Sequence, residues 1–339
     1  MDIQNAIQQI VEHNDLTEKD MESVMRQIMQ GECTPAQIGG LLTGLRMKGE
    51  TVEEITAAAT VMREFALGVD IDADYLVDVV GTGGDGSHTF NVSTTAAFVV
   101  AAAGGHVAKH HNRSASSLSG SADVLEKAGV RVGLAPEQVI ECIKKTGIGF
   151  MFAPAHHSAM KHVAPVRREL GTRTLFNMLG PLTNPARPPN ALVGVYIMDI
   201  VEPLTEVMRK LGADHVLIVH SHDGMDEISI CDRTRVAELK DGSIKSYDIS
   251  PEEFGLARHD RSEITVNGVD ESLSLMQSVL DNKAGAARDI VVFNAGAAIY
   301  AAGLAPDLQT GVDTAGRVIA DGSAKQKLAD LIELTGSFA

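Results

Sequence analysis

Gly81-Thr82-Gly83-Gly84-Asp85-Gly86 removes side chains from four of six consecutive positions, so backbone N–H groups can converge there on an anion. The loop directly follows an apolar run, Leu76-Val77-Asp78-Val79-Val80. It leads to a small-residue helix expected over Ser93 to Ala103, whose N-terminus would present positive dipole charge. The pattern is neither GxxxxGK[ST] nor GxGxxG, which disfavours nucleoside triphosphates and NAD. Alone, such a loop is as readily a tight turn as a phosphate cradle. Two further stretches change the balance. Asn91-Val92-Ser93-Thr94 brings amide and hydroxyl groups to the start of that helix. The next strand runs out into Lys109-His110-His111-Asn112-Arg113-Ser114-Ala115-Ser116-Ser117. Glycine amides, hydroxyls and two fixed cations gathered at neighbouring strand ends suit a multiply phosphorylated sugar and concentrate positive potential locally.

A fourth stretch is His220-Ser221-His222-Asp223-Gly224-Met225-Asp226-Glu227. Adjacent carboxylates at 226 and 227 offer the hard oxygen ligands that magnesium takes when it also binds phosphates. An isolated acidic loop is more often a solvated turn. His220-x-His222 resembles the opening of a zinc hydrolase signature but lacks the Asp-His pair that would follow.

The elements that must hold these residues are readable in outline. Across the first 70 residues apolar stripes recur at helical spacing: Ile3, Ile7, Ile10, Val11; Met21, Val24, Met25, Ile28; Ile38, Leu41, Leu42, Leu45; and Ile55, Ala58, Ala59, Met62. Thr34-Pro35-Ala36-Gln37 and Thr51-x-x-Glu54 open the last two with capping boxes. From residue 76 onward strand and helix alternate. The β-α-β pattern of 76–80, 93–103 and 106–109 predicts a parallel sheet with its loops gathered at the strand ends. Further strands are expected at 149–152, 192–196 and 216–219. A hairpin is expected around Asp241-Gly242, between 236–239 and 244–247. The stretch 157–170 and the chain beyond Glu271 read as helical, and the proline-rich 180–190 as an ordered turn region.

Composition narrows the function. Lys+Arg number 29 against 45 Asp+Glu, a net charge of −16, which opposes general nucleic-acid binding because that needs a basic face. Hydrophobic residues are 44% and aromatics 4%, without Trp, so the core must come from aliphatic residues and methionine. Cys33, Cys142 and Cys231 are odd in number and widely spaced, favouring neither a disulfide framework nor a thiolate zinc site and making a reduced, cytoplasmic setting the expectation. The N-terminus shows no signal-peptide pattern, and the longest apolar run is too short to span a membrane.

The motifs also occur in a telling order: Asp78-x-x-Gly81-Thr82-Gly83-Gly84-Asp85, Asn91-x-Ser93-Thr94, Lys109-His110-x-Asn112-Arg113 and Ser119-Gly120-Ser121-Ala122-Asp123. They are followed by Arg167-Arg168-x-Leu170-Gly171-x-Arg173-Thr174-x-Phe176-Asn177, Gly180-Pro181-Leu182-Thr183-Asn184-Pro185 and Asp226-Glu227. Spread over nearly the whole chain, this set resembles the anthranilate phosphoribosyltransferases of tryptophan biosynthesis. The resemblance implies an α/β protein of nucleoside phosphorylase type: a small all-α domain (1–71 with 156–190) and a larger α/β domain with a central, mostly parallel sheet (72–155 with 191–339). It also implies a homodimer formed through the helical domains.

The resemblance further implies that Gly81, Gly84, Asp85, Thr89, Asn91, Val92, Ser93, Thr94, Lys109, Asn112, Arg113, Ser114, Ser116, Ser117 and Ser121 bind phosphoribosyl pyrophosphate. Gly81, His110, Asn112, His157 and Arg167 would face anthranilate, the arginine through its carboxylate; a structural role for His157 is an equal alternative. Two magnesium ions per subunit are implied, one held by Ser93 and Glu227, the other by Asp226 and Glu227, with one ion carried by the pyrophosphate. No residue is implied as nucleophile or base, and neither nucleic acid nor membrane as partner.

Three positions depart from the family pattern: His111 for glycine, Leu118 for lysine and Ser158 for proline. The imidazole at 111 would either crowd the anthranilate pocket or turn outward. The expectation is lower turnover, or altered acceptor preference, relative to a His111→Gly variant. Rival readings are a pyrimidine nucleoside phosphorylase, which the paired acids and Arg167-Arg168 disfavour, and a fold relative that has lost or altered the transferase activity and acts as a binding protein.

Overall fold

The computed structural model describes residues 1–112 and 119–338. Arg113, Ser114, Ser116, Ser117 and Leu118, named above, lie outside the described residues.

Four helices open the chain: α1 (Ile3–Val11), α2 (Glu18–Gln30), α3 (Pro35–Lys48) and α4 (Val52–Phe65). Both expected capping boxes are present. Gln37 N–H donates to Thr34 Oγ1 and Thr34 N–H to Gln37 Oε1, and the same exchange joins Thr51 and Glu54. Each box satisfies two donors that a helix start otherwise leaves orphaned.

Beyond Tyr75 the chain builds a seven-stranded sheet: β1 (Leu76–Gly81), β2 (His106–His111), β3 (Ile148–Phe152), β4 (Asn190–Gly194), β5 (His215–Ser221), β6 (Thr234–Lys240) and β7 (Ser243–Ile249). The order is β3-β2-β1-β4-β5-β6-β7. The first five are parallel and the last two antiparallel. The hairpin β6–β7 turns at Asp241 (φ 51°) and Gly242 (φ 72°). Two positive φ values in succession match the right-handed twist of the flanking strands, and Asp-Gly tolerates them. Strand β4 begins at Asn190, ahead of the expected 192, and ends at Gly194 rather than 196.

The crossover and outer helices are α5 (Val92–Ala102), α6 (Ser121–Ala128), α7 (Pro136–Thr146), α8 (Ala153–His156), α9 (Ala164–Leu170), α10 (Phe176–Leu182), α11 (Val201–Lys210), α12 (Val269–Leu280), α13 (Ala286–Ala301), α14 (Leu308–Ala320) and α15 (Ser323–Gly336). The helix expected over 157–170 is broken into a 3-10 turn at Ser158–His162 and α9. Pro165 causes the break: its ring disfavours a helical turn before it and it lacks an N–H. The region 180–190 starts as the last turn of α10, with Pro181 inside the helix, before it becomes irregular.

The sheet divides two apolar clusters. On one face Val77, Val79, Val107 and Leu192 pack with α5, α13 and the C-terminal helices. On the other, Val193, Val216, Ile218 and Ala237 pack with α11, and that cluster continues through Val166, Phe176 and Leu179 into α1–α4. The ends of β1, β2 and β4 therefore open onto both clusters. No helix among the described residues is long and apolar enough to cross a membrane.

Candidate active site

Gly81 closes β1, and the chain then turns through three glycines with positive φ, Gly83, Gly84 and Gly86. Thr82 N–H donates to Gly194 O (2.9 Å), while Tyr196 N–H donates to Thr82 Oγ1 (3.1 Å). These bonds pin the loop to the end of β4. Arg173 donates to Gly84 O and lies over the Tyr196 ring at 4.2 Å, which ties the loop to the segment leading into α10.

The acidic loop after β5 folds back over the same strand ends. Gly83 N–H donates to Asp226 Oδ2 (2.7 Å), and Asp226 N–H to Asp85 Oδ2 (3.3 Å). Such an approach requires two glycines. A Cβ on Gly81 would lie 2.6 Å from Asp226 Oδ2, and one on Gly194 only 1.6 Å from the Asp226 carbonyl oxygen. Sequence reasoning does not single out Gly194. Its one signal is a glycine ending the apolar run Leu192-Val193.

Ser93 N–H, in the first turn of α5, donates to Glu227 Oε1 (3.2 Å). Lys109, almost fully buried on β2, donates to Val79 O and to Ser93 Oγ (3.2 Å). Burial raises the Asp226 and Glu227 carboxyls, Asp226 further through the Asp85 charge and Glu227 further through Asp226. Burial pulls Lys109 down, against the charges of Asp78, Glu227 and Asp226. Three acids thus crowd one ammonium, an arrangement short of positive charge.

The other expected donor residues gather around the start of α5, with different duties. Asn91 does not cap the helix with its side chain. Its Oδ1 accepts from Ser119 Oγ (2.8 Å) and Ser272 Oγ (2.7 Å), and its Nδ2 donates to Ser119 O (3.2 Å). Asn91 is therefore a node joining α5, α12 and the segment after β2. Nothing in the local pattern around Ser272 marks it as a partner. Thr94 Oγ1 donates to Ser121 Oγ (2.9 Å). Thr89 forms an isolated bridge with Thr265, Val92 is buried, and Asn112 is exposed at the end of β2.

The opposite side of the strand ends is apolar and imidazole-rich. Successive strand residues point to opposite faces, so His110 faces away from Lys109. It is buried, with Nδ1 3.2 Å from Gly180 O on α10, and its ring centroid lies 5.1 Å from that of His157. Burial, then the neighbouring His157, pulls His110 down to about 3; burial, then His156, pulls His157 down to about 4. Both rings are uncharged at neutral pH. On α9, the half-buried Arg167 lies over the Phe176 ring at 5.7 Å, and burial lowers its pKa. Asp78 is pushed up to about 6 by burial and accepts from Asn184 Nδ2 (2.6 Å), which also donates to Ala108 O (2.8 Å). That pair laces β1 to β2 beneath the site.

His111 neither crowds the His110 side nor turns outward. It shares a face with Lys109, is 5% exposed, and packs 5.6 Å from the Phe150 ring and 5.7 Å from Phe152. The reason is strand parity: 109 and 111 point one way and 110 the other. His111→Gly is accordingly expected to destabilise the fold by about 2 kcal/mol, through lost packing and added chain freedom, and to leave the anthranilate KM unchanged. A thermal melt with parallel kinetics checks this. A variant equally stable and faster would return the ring to the acceptor side.

Residues 73–325 match the glycosyl transferase family, a/b domain, and residues 4–66 the glycosyl transferase family, helical bundle domain. Among curated proteins, the anthranilate phosphoribosyltransferase of Alkalilimnicola ehrlichii is 57% identical over 335 residues, covering 99% of each chain. That of Thioalkalivibrio sulfidiphilus is 55% identical over 337 residues, covering 99% of this chain and all of the other. Among solved structures, the Thermus thermophilus enzyme of that name has a TM-score of 0.93 and 42% identity over 98% of this chain and 99% of its own. The Saccharomyces cerevisiae enzyme, solved in complex with PRPP and Mg, has a TM-score of 0.89 and 26% identity over 99% and 98%. With more than half its residues shared along the full length of such relatives, the chain belongs to the anthranilate phosphoribosyltransferase family.

Proposed function

We propose that the protein transfers the phosphoribosyl group of phosphoribosyl pyrophosphate to the amine of anthranilate, releasing pyrophosphate, as a step of tryptophan biosynthesis. The observation that carries this reading is the division of labour on β2. Lys109, with the glycine loop and the paired acids, faces one side of the strand ends, and His110, with His157, faces the other. A polyanionic donor and a flat aromatic acceptor would meet across that ridge.

On the donor side, Gly81, Gly84, Asp85, Thr89, residues 91–94, Lys109, Asn112 and Ser121 form the wall, with Lys109 as the fixed cation. Asp226, Glu227 and the Ser93 hydroxyl fit magnesium. The donors are all hard oxygens, and burial and mutual charge raise both carboxyls although Lys109 acts against the rise at Glu227. Among the described residues no three His, Cys, Asp or Glu side chains form a ready cage. Magnesium is commonly held by one or two carboxylates together with waters and substrate phosphates. When bound it would screen the charge of the departing pyrophosphate. The ion bound by the yeast relative supports this use.

On the acceptor side, uncharged His110 and His157 offer flat walls without competing for the anthranilate carboxylate, leaving Arg167 to pair with it. Anthranilate's amine is unprotonated at neutral pH, so attack on the ribose carbon needs orientation more than a strong base. The protein's work is to align two anions and stabilise the leaving one. Val11 and Met47, large apolar side chains exposed on α1 and α3, support a homodimer through the helical unit, and the reading places the enzyme in the cytoplasm.

The test is anthranilate fluorescence followed with phosphoribosyl pyrophosphate, with magnesium or with excess chelator. Fluorescence is expected to fall with magnesium and to hold steady with chelator. Phosphorolysis of uridine or thymidine with no loss of anthranilate would overturn the assignment.

A further inference from the structure

Helix α13 packs beneath β1, β4 and β5, and its buried residues are alanine, valine, isoleucine, phenylalanine and glycine with one exception, Asn294. An amide in such surroundings loses its hydration and destabilises the fold unless each polar atom finds a partner. Asn294 finds them chiefly on a single residue. Its Oδ1 accepts from Ile228 N–H (2.9 Å) and its Nδ2 donates to Ile228 O (2.8 Å), with a second bond from Nδ2 to Ile290 O (2.9 Å) on its own helix. Ile228 directly follows Glu227, is fully buried, and lies outside every strand. The side-chain amide thus does for Ile228 what a neighbouring strand does for a ladder residue, fixing the peptide planes on both sides of it.

We propose that Asn294 is the positioning residue for the acid pair Asp226–Glu227, setting their carboxylates toward Ser93 and Gly83 from beneath the sheet. This rests on the magnesium-binding reading of that pair. Two of the constraints on the loop act from other directions. Gly194 lets the Asp226 backbone approach the end of β4, and Ser229 Oγ donates to Asp223 Oδ2 (2.8 Å), closing the loop across its neck. Asn294 alone, among the described side chains, grips both backbone groups of the residue next to Glu227. Without it, the N–H and C=O of Ile228 become buried orphans, which the backbone can relieve only by moving, and Glu227 moves with it.

Two measurements separate this claim from the reading it rests on. In the metal-free protein, hydrogen exchange over 226–230 is expected to be slow, and at least about tenfold faster in Asn294→Ala. In activity assays, Asn294→Ala is expected to raise the half-saturating magnesium concentration at least about tenfold while the anthranilate KM stays within about twofold. Val291→Ala, on the same helix, should lower the melting temperature and shift neither readout. Should the alanine variant fail to fold, Asn294→Ser supplies both measurements, with the same direction expected. Unchanged exchange at 226–230, or faster exchange with unmoved magnesium dependence, overturns the proposal. A wild-type enzyme indifferent to magnesium would instead overturn the reading of the acid pair, while the exchange result still reports on the clamp.

Discussion

Gly194→Ala is expected to cut kcat/KM by about 100-fold or more, because a displacement near 1 Å in a catalytic constellation commonly costs that much. The added methyl would stand 1.6 Å from the Asp226 carbonyl oxygen and 2.4 Å from its carbonyl carbon. Both are backbone atoms, so no rotamer change relieves the overlap. The acidic loop must lift from β4, drawing Asp226 away from Gly83 N–H. Gly81→Ala is the built-in comparison: its new methyl would meet the Asp226 carboxylate at 2.6 Å, a side chain that can swing aside, so its loss should be smaller. Steady-state kinetics on the two variants, with melting curves to confirm folding, decides. Equal activity of Gly194→Ala and wild type would show that the loop need not lie where it does.

Arg167→Ala is expected to raise the anthranilate KM by about 10- to 100-fold and leave the KM for phosphoribosyl pyrophosphate within about twofold. The guanidinium is half-buried on α9, it lies over the Phe176 ring, and burial rather than a carboxylate partner governs its pKa. A hydrogen bond to a charged group contributes about 1.5–3 kcal/mol, which corresponds to that range of affinity. Arg167→Lys should recover part of the loss, since it keeps the charge without the two-pronged fork. A changed donor KM with an unchanged anthranilate KM would move Arg167 to the other substrate.

How far the residues announce this architecture depends on the range of the forces involved. The helices of the first 70 residues follow from spacing and capping, both local: Thr34 with Gln37 and Thr51 with Glu54 lie within one turn of each other. The hairpin follows from Asp241-Gly242 for the same reason. The glycine loop, the start of α5 and the lysine strand come together at the ends of neighbouring interior strands because parallel strands place their ends side by side. Gly194 and Asn294 are not legible, since each matters through a distant segment that the fold alone brings close. Asn91 stands out in the sequence, but its ties to Ser119 and Ser272 do not. His111 misleads for a different reason: its parity with Lys109 is available in the sequence, and the departure from glycine draws attention away from it. A single helix over 157–170 overlooks Pro165, whose ring divides it.

The alternation of Lys109 and His110 has a last consequence. Because the two side chains serve opposite walls through strand parity alone, deleting or inserting a single residue in the middle of β2 would exchange them while preserving every side chain that remains. The ammonium would then project among the aromatic walls and the imidazole among the acids. On the proposed reading, the pairing of β2 with β1 and β3 is for that reason part of the chemistry as well as the scaffolding, and a change of length in the strand should cost far more than a conservative substitution at Val107.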